Sequence, residues 1–300
     1  MKQILIPLLW GLGVLCWPVY SVAQPARAAV FISDTIKPYF QAAQNLESGL
    51  TDYGIELRTV EVKKLGNDTF NGVCQQLIAN GYRYWVSIGP TATRLIYQFQ
   101  SHEVLGRVFT MVLSPDQIME ATYPLCGVSL KIPVKDQVAE LVSAFGPTVR
   151  LGILYDPANN AEFVKDAVEG LRSFGMGLKQ IEVTARKEVA TAIEHGIAGI
   201  DLLWMIPDQT VISESIIPYI IKGSMRKGIG VIGYNRYFLH QGAVAAFIID
   251  YGRIGLQTAE VLRAMVQEGV CSNPDPEFEL EINQSLAGML GLNRAKADKQ

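Results

Sequence analysis

The chain has 300 residues, 49% hydrophobic and 18% charged, with 26 Lys and Arg against 29 Asp and Glu for a net charge of −3. That length and apolar content suit two domains of ordinary size. The mild acidity gives no electrostatic footprint for nucleic acid and no basic face for an anionic membrane.

At the N-terminus, Lys2 precedes an apolar run over residues 4–20, interrupted by Pro7, Gly11 and Pro18. Ser21-Val22-Ala23 then sets small residues at the two positions a signal peptidase reads, so residues 1–23 read as a secretory signal. Ala26-Arg27-Ala28 is a second site of the same form. The run is short and broken for a membrane span. Leu15 before Cys16 is not the small residue that a lipid-anchored signal places there. No later stretch approaches the roughly 20 apolar residues of a membrane helix, so the rest is expected to be exported and soluble. Three cysteines remain, Cys74, Cys126 and Cys271, and an odd number permits at most one internal bridge. Their default reading is as small buried hydrophobes, with one structural disulfide left open.

Strand and helix then alternate almost throughout. Residues 29–33 (AVFIS) form a short apolar strand. Residues 36–53 place Phe40, Ala43, Leu46 and Leu50 at helical spacing and stop at Gly54, a natural helix end. A strand over 55–62, a helix over 68–79, a strand over 83–88 and a helix over 91–100 follow. Strands over 108–113 and 127–130 end the first half. After Pro133 the cycle restarts with a helix over 134–145. Residues 149–155 (VRLGILY) read as a strand of a parallel sheet covered on both faces. Helices over 160–174, 187–195 and 213–227 alternate with strands over 179–183, 202–206 and 230–233. A strand over 243–249, a long helix over 251–267, a strand over 278–282 and a helix over 285–290 complete the pattern. Such alternation means βαβ units and parallel sheets. The two runs predict an α/β protein of two Rossmann-like, doubly wound lobes divided near residues 131–133.

In open α/β sheets ligands lie outside the carboxyl ends of the strands. The loops there are Ser33-Asp34-Thr35, residues 89–93 with Thr91 and Thr93, Ser114-Pro115-Asp116, Ser129, residues 155–159 with Tyr155 and Asn159, Pro207-Asp208, and Tyr234-Asn235. Taken singly, each hydroxyl, amide or carboxylate at such a junction reads first as a helix cap. Taken together, converging from two lobes, they read as a cleft.

Enzyme motifs are missing. His102, His195 and His240 are far apart and form no His-x-x-x-His metal pair. There is no Gly-x-Ser-x-Gly elbow and no phosphate loop. The glycines at 228, 230 and 233 satisfy the letter of the dinucleotide fingerprint but close a helix and enter a strand, the reverse of the real motif. No cofactor, metal or catalytic residue is expected.

The second half carries an ordered set of motifs. These are Gly127-Val128-Ser129 with Pro133; residues 151–155 with Pro157 and Asn159; Asp201 and Asp208; Gly242-Ala243 with Asp250-Tyr251 and Gly255; and Ile282-Asn283 with Ala287, Leu290 and Gly291. In order and spacing the chain resembles the ABC transporter substrate-binding protein family of the type I periplasmic binding fold. The resemblance implies two lobes joined by three crossovers: residues 29–131 plus 244–270, and residues 132–243 plus 271–293. It implies a periplasmic, monomeric protein that does no chemistry, captures an amino acid or similar small solute, notably an aromatic one, and delivers it to an ABC permease. By position it implies Ser33, Thr91, Thr93, Asp116, Ser129, Tyr155, Asn159, Asp208, Tyr234 and Asn235 as ligand-binding residues. Thr91, Thr93 and Ser129 would hold a carboxylate, Asp208 an ammonium, and Tyr155 and Tyr234 a planar group. Two departures touch that pocket: Ser114-Pro115-Asp116 replaces the family's usual Asp-Pro, and Pro90 stands where small residues are common. A sensor module for a membrane receptor uses the same cleft and stays open as an alternative, with a secreted enzyme behind it.

Overall fold

The computed structural model describes residues 25–119, 124–213 and 215–292. The secretory signal expected over residues 1–23 lies outside them. The first lobe is built on β1 (Arg27–Ile32), β2 (Glu56–Glu61), β3 (Tyr84–Ile88), β4 (Gly106–Val112) and β5 (Gly127–Ser129). These form one parallel sheet in the order β2-β1-β3-β4-β5. Its faces are covered by α1 (Lys37–Leu50), α2 (Asn67–Ala79), α3 (Pro90–Gln98) and the late helix α9 (Tyr251–Glu268). Strand β1 shows why it lies inside the sheet, between β2 and β3. Ala28, Val30 and Ile32 face the core shared with α1 and α9, while Ala29 and Phe31 face the core with Phe70, Cys74 and Ile96. A strand apolar on both faces requires cover on both.

The second lobe carries β6 (Leu151–Tyr155), β7 (Leu178–Glu182), β8 (Leu202–Met205), β9 (Gly230–Gly233), β10 (Ala245–Ile249) and β11 (Phe278–Ile282). They lie in the order β11-β10-β9-β8-β6-β7, with β11 antiparallel to β10. Its helices are α4 (Val134–Phe145), α5 (Pro157–Arg172), α6 (Val189–Thr191), α7 (Ile216–Met225), α8 (Arg236–His240) and α10 (Gln284–Met289). Two cores flank this sheet. Leu151, Ile153 and Tyr155 sit in one, and Leu154, Leu203 and Val231 in the other.

Four local expectations are corrected. The helix over 187–195 is instead a 3-10 turn (Arg186–Glu188), one α turn (α6) and a π turn (Ala192–Gly196). Helix α8 falls where the pattern predicts no element, because five residues are too short to show a helical period. The chain returns to the first lobe after Ile249, not near residue 244, because β10 hydrogen-bonds to β9 and β11. Finally, Cys126 and Cys271 form a disulfide, and among the described residues only Cys74 is a free thiol, buried, with its pKa pushed up by burial to about 12.

That bond helps define the joint between the lobes. Crossovers run through residues 130–133, through the Ile249–Asp250 step, and through residues 269–277. The last is strapped to the first lobe by the disulfide, by the Gly127 N–H donating to Ser272 O at 2.9 Å, and by Gln257, which bonds Asp275 O and the Glu277 N–H at 3.0 Å each. Ile249 and Phe278 are opposite one another at the ends of β10 and β11. Two crossovers therefore enter the second lobe side by side.

Candidate functional site

The strand ends of both lobes face a cleft of about 790 Å³. Its first-lobe wall is Lys37, Pro38 and Gln41, from the start of α1, with Leu113, Ser114, Asp116 and Gln117 after β4. Met111 adopts φ 58° where the register of β4 on β5 shifts between Thr110 and Val112. That bulge turns the chain out of the sheet into the loop carrying Asp116. The floor is made by the crossovers, with Leu130, Lys131, Ile132, Ile249, Asp250 and Tyr251. The second-lobe wall presents Asn159, Asn160, Glu162 and Phe163 of α5, then Pro207, Tyr234, Asn235 and Arg236.

Of the ten residues expected to bind, four line this cleft: Asp116, Asn159, Tyr234 and Asn235. The Tyr234 ring packs against Phe238, 4.8 Å between ring centres and tilted by 57°, and burial drives its pKa up to about 12. Asn235 caps α8 by accepting from the Tyr237 N–H at 3.1 Å. Asn159 donates to Thr210 Oγ1 at 3.2 Å.

The other six do not line the cleft, and five of them are engaged within the fold. Thr93 is fully buried, with its hydroxyl 2.9 Å from Ser87 Oγ and 2.9 Å from Gly89 O. Ser33 is buried and accepts from the Ala92 N–H at 2.8 Å. Ser129 accepts from the Lys131 N–H at 3.2 Å. Thr91, at the start of α3, is exposed and away from the cleft wall. Tyr155 lies in the core with its hydroxyl 3.0 Å from both Gln180 Oε1 and Glu182 Oε1, so it has no face for a ligand.

Asp208 is the most informative correction. It is only 4% exposed and accepts four bonds: Asp156 N–H and Asn160 Nδ2 at 2.8 Å, Thr210 N–H at 2.9 Å and Val211 N–H at 3.1 Å. A carboxylate so satisfied has no lone pair to offer an ammonium. It instead ties the loop after β8 to the first turn of α5. There Asn160 departs from helical geometry (φ −134°, ψ 20°), while its side chain reaches Asp208 and Pro207 O. Asp208 thus holds the turn that presents Asn159, Asn160 and Phe163.

Sequence reasoning missed Lys37, Gln41, Lys131, Asn160, Glu162, Phe163, Arg236 and Tyr251. Lys37 and Gln41 are four apart and share one face of α1. Asn160 and Phe163 likewise share a face of α5. That spacing is the signal in the sequence for these residues, which lie one turn beyond the loops before each helix.

Charge in the cleft is mixed. Arg236 is paired with Glu281 at 2.5 Å, and Asp250 is engaged capping α9 through the Gly252 and Arg253 N–H groups at 2.7 and 3.0 Å. Among the described residues Lys37, Lys131, Asp116 and Glu162 have no ionic partner. Burial raises the pKa of Tyr251. It also raises that of Tyr39, with Asp34 and Tyr251 adding to the effect. No histidine or cysteine lies on the described wall. The surface is one of donors, acceptors and rings, arranged to hold a molecule.

Two Rossmann-like lobes joined by three crossovers, with strand ends opposed across a cleft, define the type I periplasmic binding fold. The chain belongs to the ABC transporter substrate binding protein family, whose model matches residues 30–294. A ligand-free, open substrate binding protein with adhesive properties from Clostridium difficile is similar at TM-score 0.70 and 17% identity, over 89% of this chain and 95% of that one. An ABC domain in complex with L-Trp from Streptococcus pneumonia is similar at TM-score 0.56 and 18% identity, over 89% and 94%. An ABC transporter solute binding protein from Burkholderia graminis, in complex with D-arabinose, is similar at TM-score 0.53 and 11% identity, over 88% and 97%. At these identities the likeness is one of fold. No curated protein matches the chain in sequence.

Proposed function

We propose that the protein is an extracytoplasmic, monomeric binding protein that captures a small dipolar solute, an amino acid or a similar compound with a planar portion. It closes on that solute and delivers it to the permease of an ABC importer. The observation that carries this is the interlobe cleft, whose second-lobe wall and floor supply rings (Phe163, Tyr234 and Tyr251) beside charges of both signs (Lys37, Lys131, Asp116 and Glu162) that have no ionic partner among the described residues. Rings supply stacking area, and charges of both signs match a zwitterion better than a neutral sugar. A ligand that touches both lobes has more contacts in the closed state and so shifts the population toward it. Export follows from the reading of residues 1–23 as a signal.

Titrating the purified protein with a library of amino acids and nucleobases, read by melting temperature, tests the proposal. A ligand at 100 times its Kd should stabilise by about 2.7 kcal/mol. The absence of any stabilising compound would remove the reading.

A further inference from the structure

The family resemblance places the carboxylate of an amino-acid ligand against the turn between β3 and α3. In this chain that turn is packed from one side by Tyr39 and Ser33. Gly89 has φ 87°, and a Cβ there would lie 2.6 Å from Tyr39 Cζ, 2.7 Å from the Tyr39 hydroxyl and 2.8 Å from Ser33 Oγ. The phenol of Tyr39 therefore lies directly against the turn, and only glycine leaves room for it. Ser33 occupies the Ala92 N–H, and Thr93 is spent on Ser87 and Gly89. The remaining hydroxyl, Thr91, is exposed at the start of α3, and no residue of the turn lines the cleft.

The cleft nevertheless holds positive charge elsewhere. Of its three cations, Arg236 is neutralised by Glu281, while Lys37 and Lys131 have no acidic partner among the described residues. Lys37 stands at the first turn of α1, two residues before Tyr39, and Lys131 on the first crossover. We propose that the acidic group of the ligand is received by Lys37 and Lys131, on the α1 and crossover side of the cleft, and not at the β3–α3 turn. The proposal rests on the reading of the cleft as the site of a dipolar solute. A lysine ammonium meeting a carboxylate is a charge-assisted contact, stronger than a neutral one.

Titration calorimetry on the purified protein tests this with four probes: L-tryptophan and L-tyrosine, and tryptamine and tyramine, which keep ring and ammonium but lack the carboxylate. Lys37→Gln and Lys131→Gln should each weaken the amino acids about tenfold and leave the amines unchanged, while Thr91→Ala changes neither. Both lysines are exposed, so melting temperatures should match the parent protein. Unchanged amino-acid binding in both lysine variants, with a tenfold loss in Thr91→Ala, would overturn the proposal and leave the cleft reading standing. An equal loss for acids and amines would overturn it too, since the lysines would then act on no particular group. Failure of all four probes to bind would overturn this inference, while the dipolar-solute reading stands or falls on the wider library.

Discussion

Asp208 and Tyr234 show how differently two polar residues at strand ends can be used. Asp208 is spent internally, and Asp208→Ala would leave the Asp156, Thr210 and Val211 N–H groups without their acceptor. Each such buried donor costs about 1–3 kcal/mol. We expect Asp208→Ala to lower stability by about 3 kcal/mol and to weaken ligand binding indirectly through Asn159 and Asn160; urea unfolding and calorimetry read the two effects. Tyr234 is half-buried and keeps its proton to about pH 12. An unfolded tyrosine ionises near pH 10, so the unfolded chain loses the proton first. Stability is then intact below about pH 10 and falls as pH rises from there through about 12. Tyr251 and Tyr39 shift the same way, and Cys74 adds a fall that begins near pH 9. Melting temperature against pH, with tyrosinate absorbance, should show the decline, and Tyr234→Phe should make it shallower.

Among the elements, short helices and their caps carry the cleft wall. Helix α8 has five residues and cannot stand on propensity. It is held by the Asn235 cap and by Phe238, which is buried beneath Tyr234. Replacing Asn235 by Ala should cost about 1 kcal/mol and free Arg236 and Tyr234 to move. Chemical unfolding should register the first effect, and slower ligand capture in stopped-flow fluorescence the second. Normal stability with an unaltered capture rate would show that the cap is idle. Helix α9 reaches the first lobe by a close approach to α1, where a Cβ at Gly255 would meet Ala42 O at 2.2 Å. This contact, with Thr258 donating to Thr110 at 3.0 Å, fixes a helix that follows directly on a strand of the other lobe. A hinge needs such a fixed point on each side.

For the whole molecule, the decisive feature is how the crossovers are tied. The Cys126–Cys271 bond spans 145 residues and straps the third crossover to the first lobe. Reduction, or Cys126→Ala with Cys271→Ala, should cost about 2–5 kcal/mol, measured by urea unfolding with and without reductant. It should also loosen the pivot at Ile249 and Phe278, so that ligand-induced compaction in X-ray scattering becomes smaller. Unchanged compaction would mean the other two crossovers suffice. The sequence could not choose between buried thiols and a bridge, because pairing depends on where two segments 145 residues apart come to lie.

The alternation of apolar strands and amphipathic helices determined the fold class, since period and burial are local properties of the chain. The order of Gly127-Val128-Ser129, residues 151–155 and Asp250-Tyr251 determined the family for the same reason. Polar strand-end loops were legible too, and four of the ten expected binding residues do line the cleft. The use of each polar group was not legible. Capping, loop-tying and ligand contact need the same residue types at the same junctions, and only neighbours distant in sequence tell them apart. Tertiary structure alone decided that Asp208 ties two loops, that Tyr39 packs on Gly89, that β10 belongs to the second sheet, and that Lys37 and Lys131 line one cleft. Each is a matter of which surfaces meet, and close packing settles that only once the whole chain has folded.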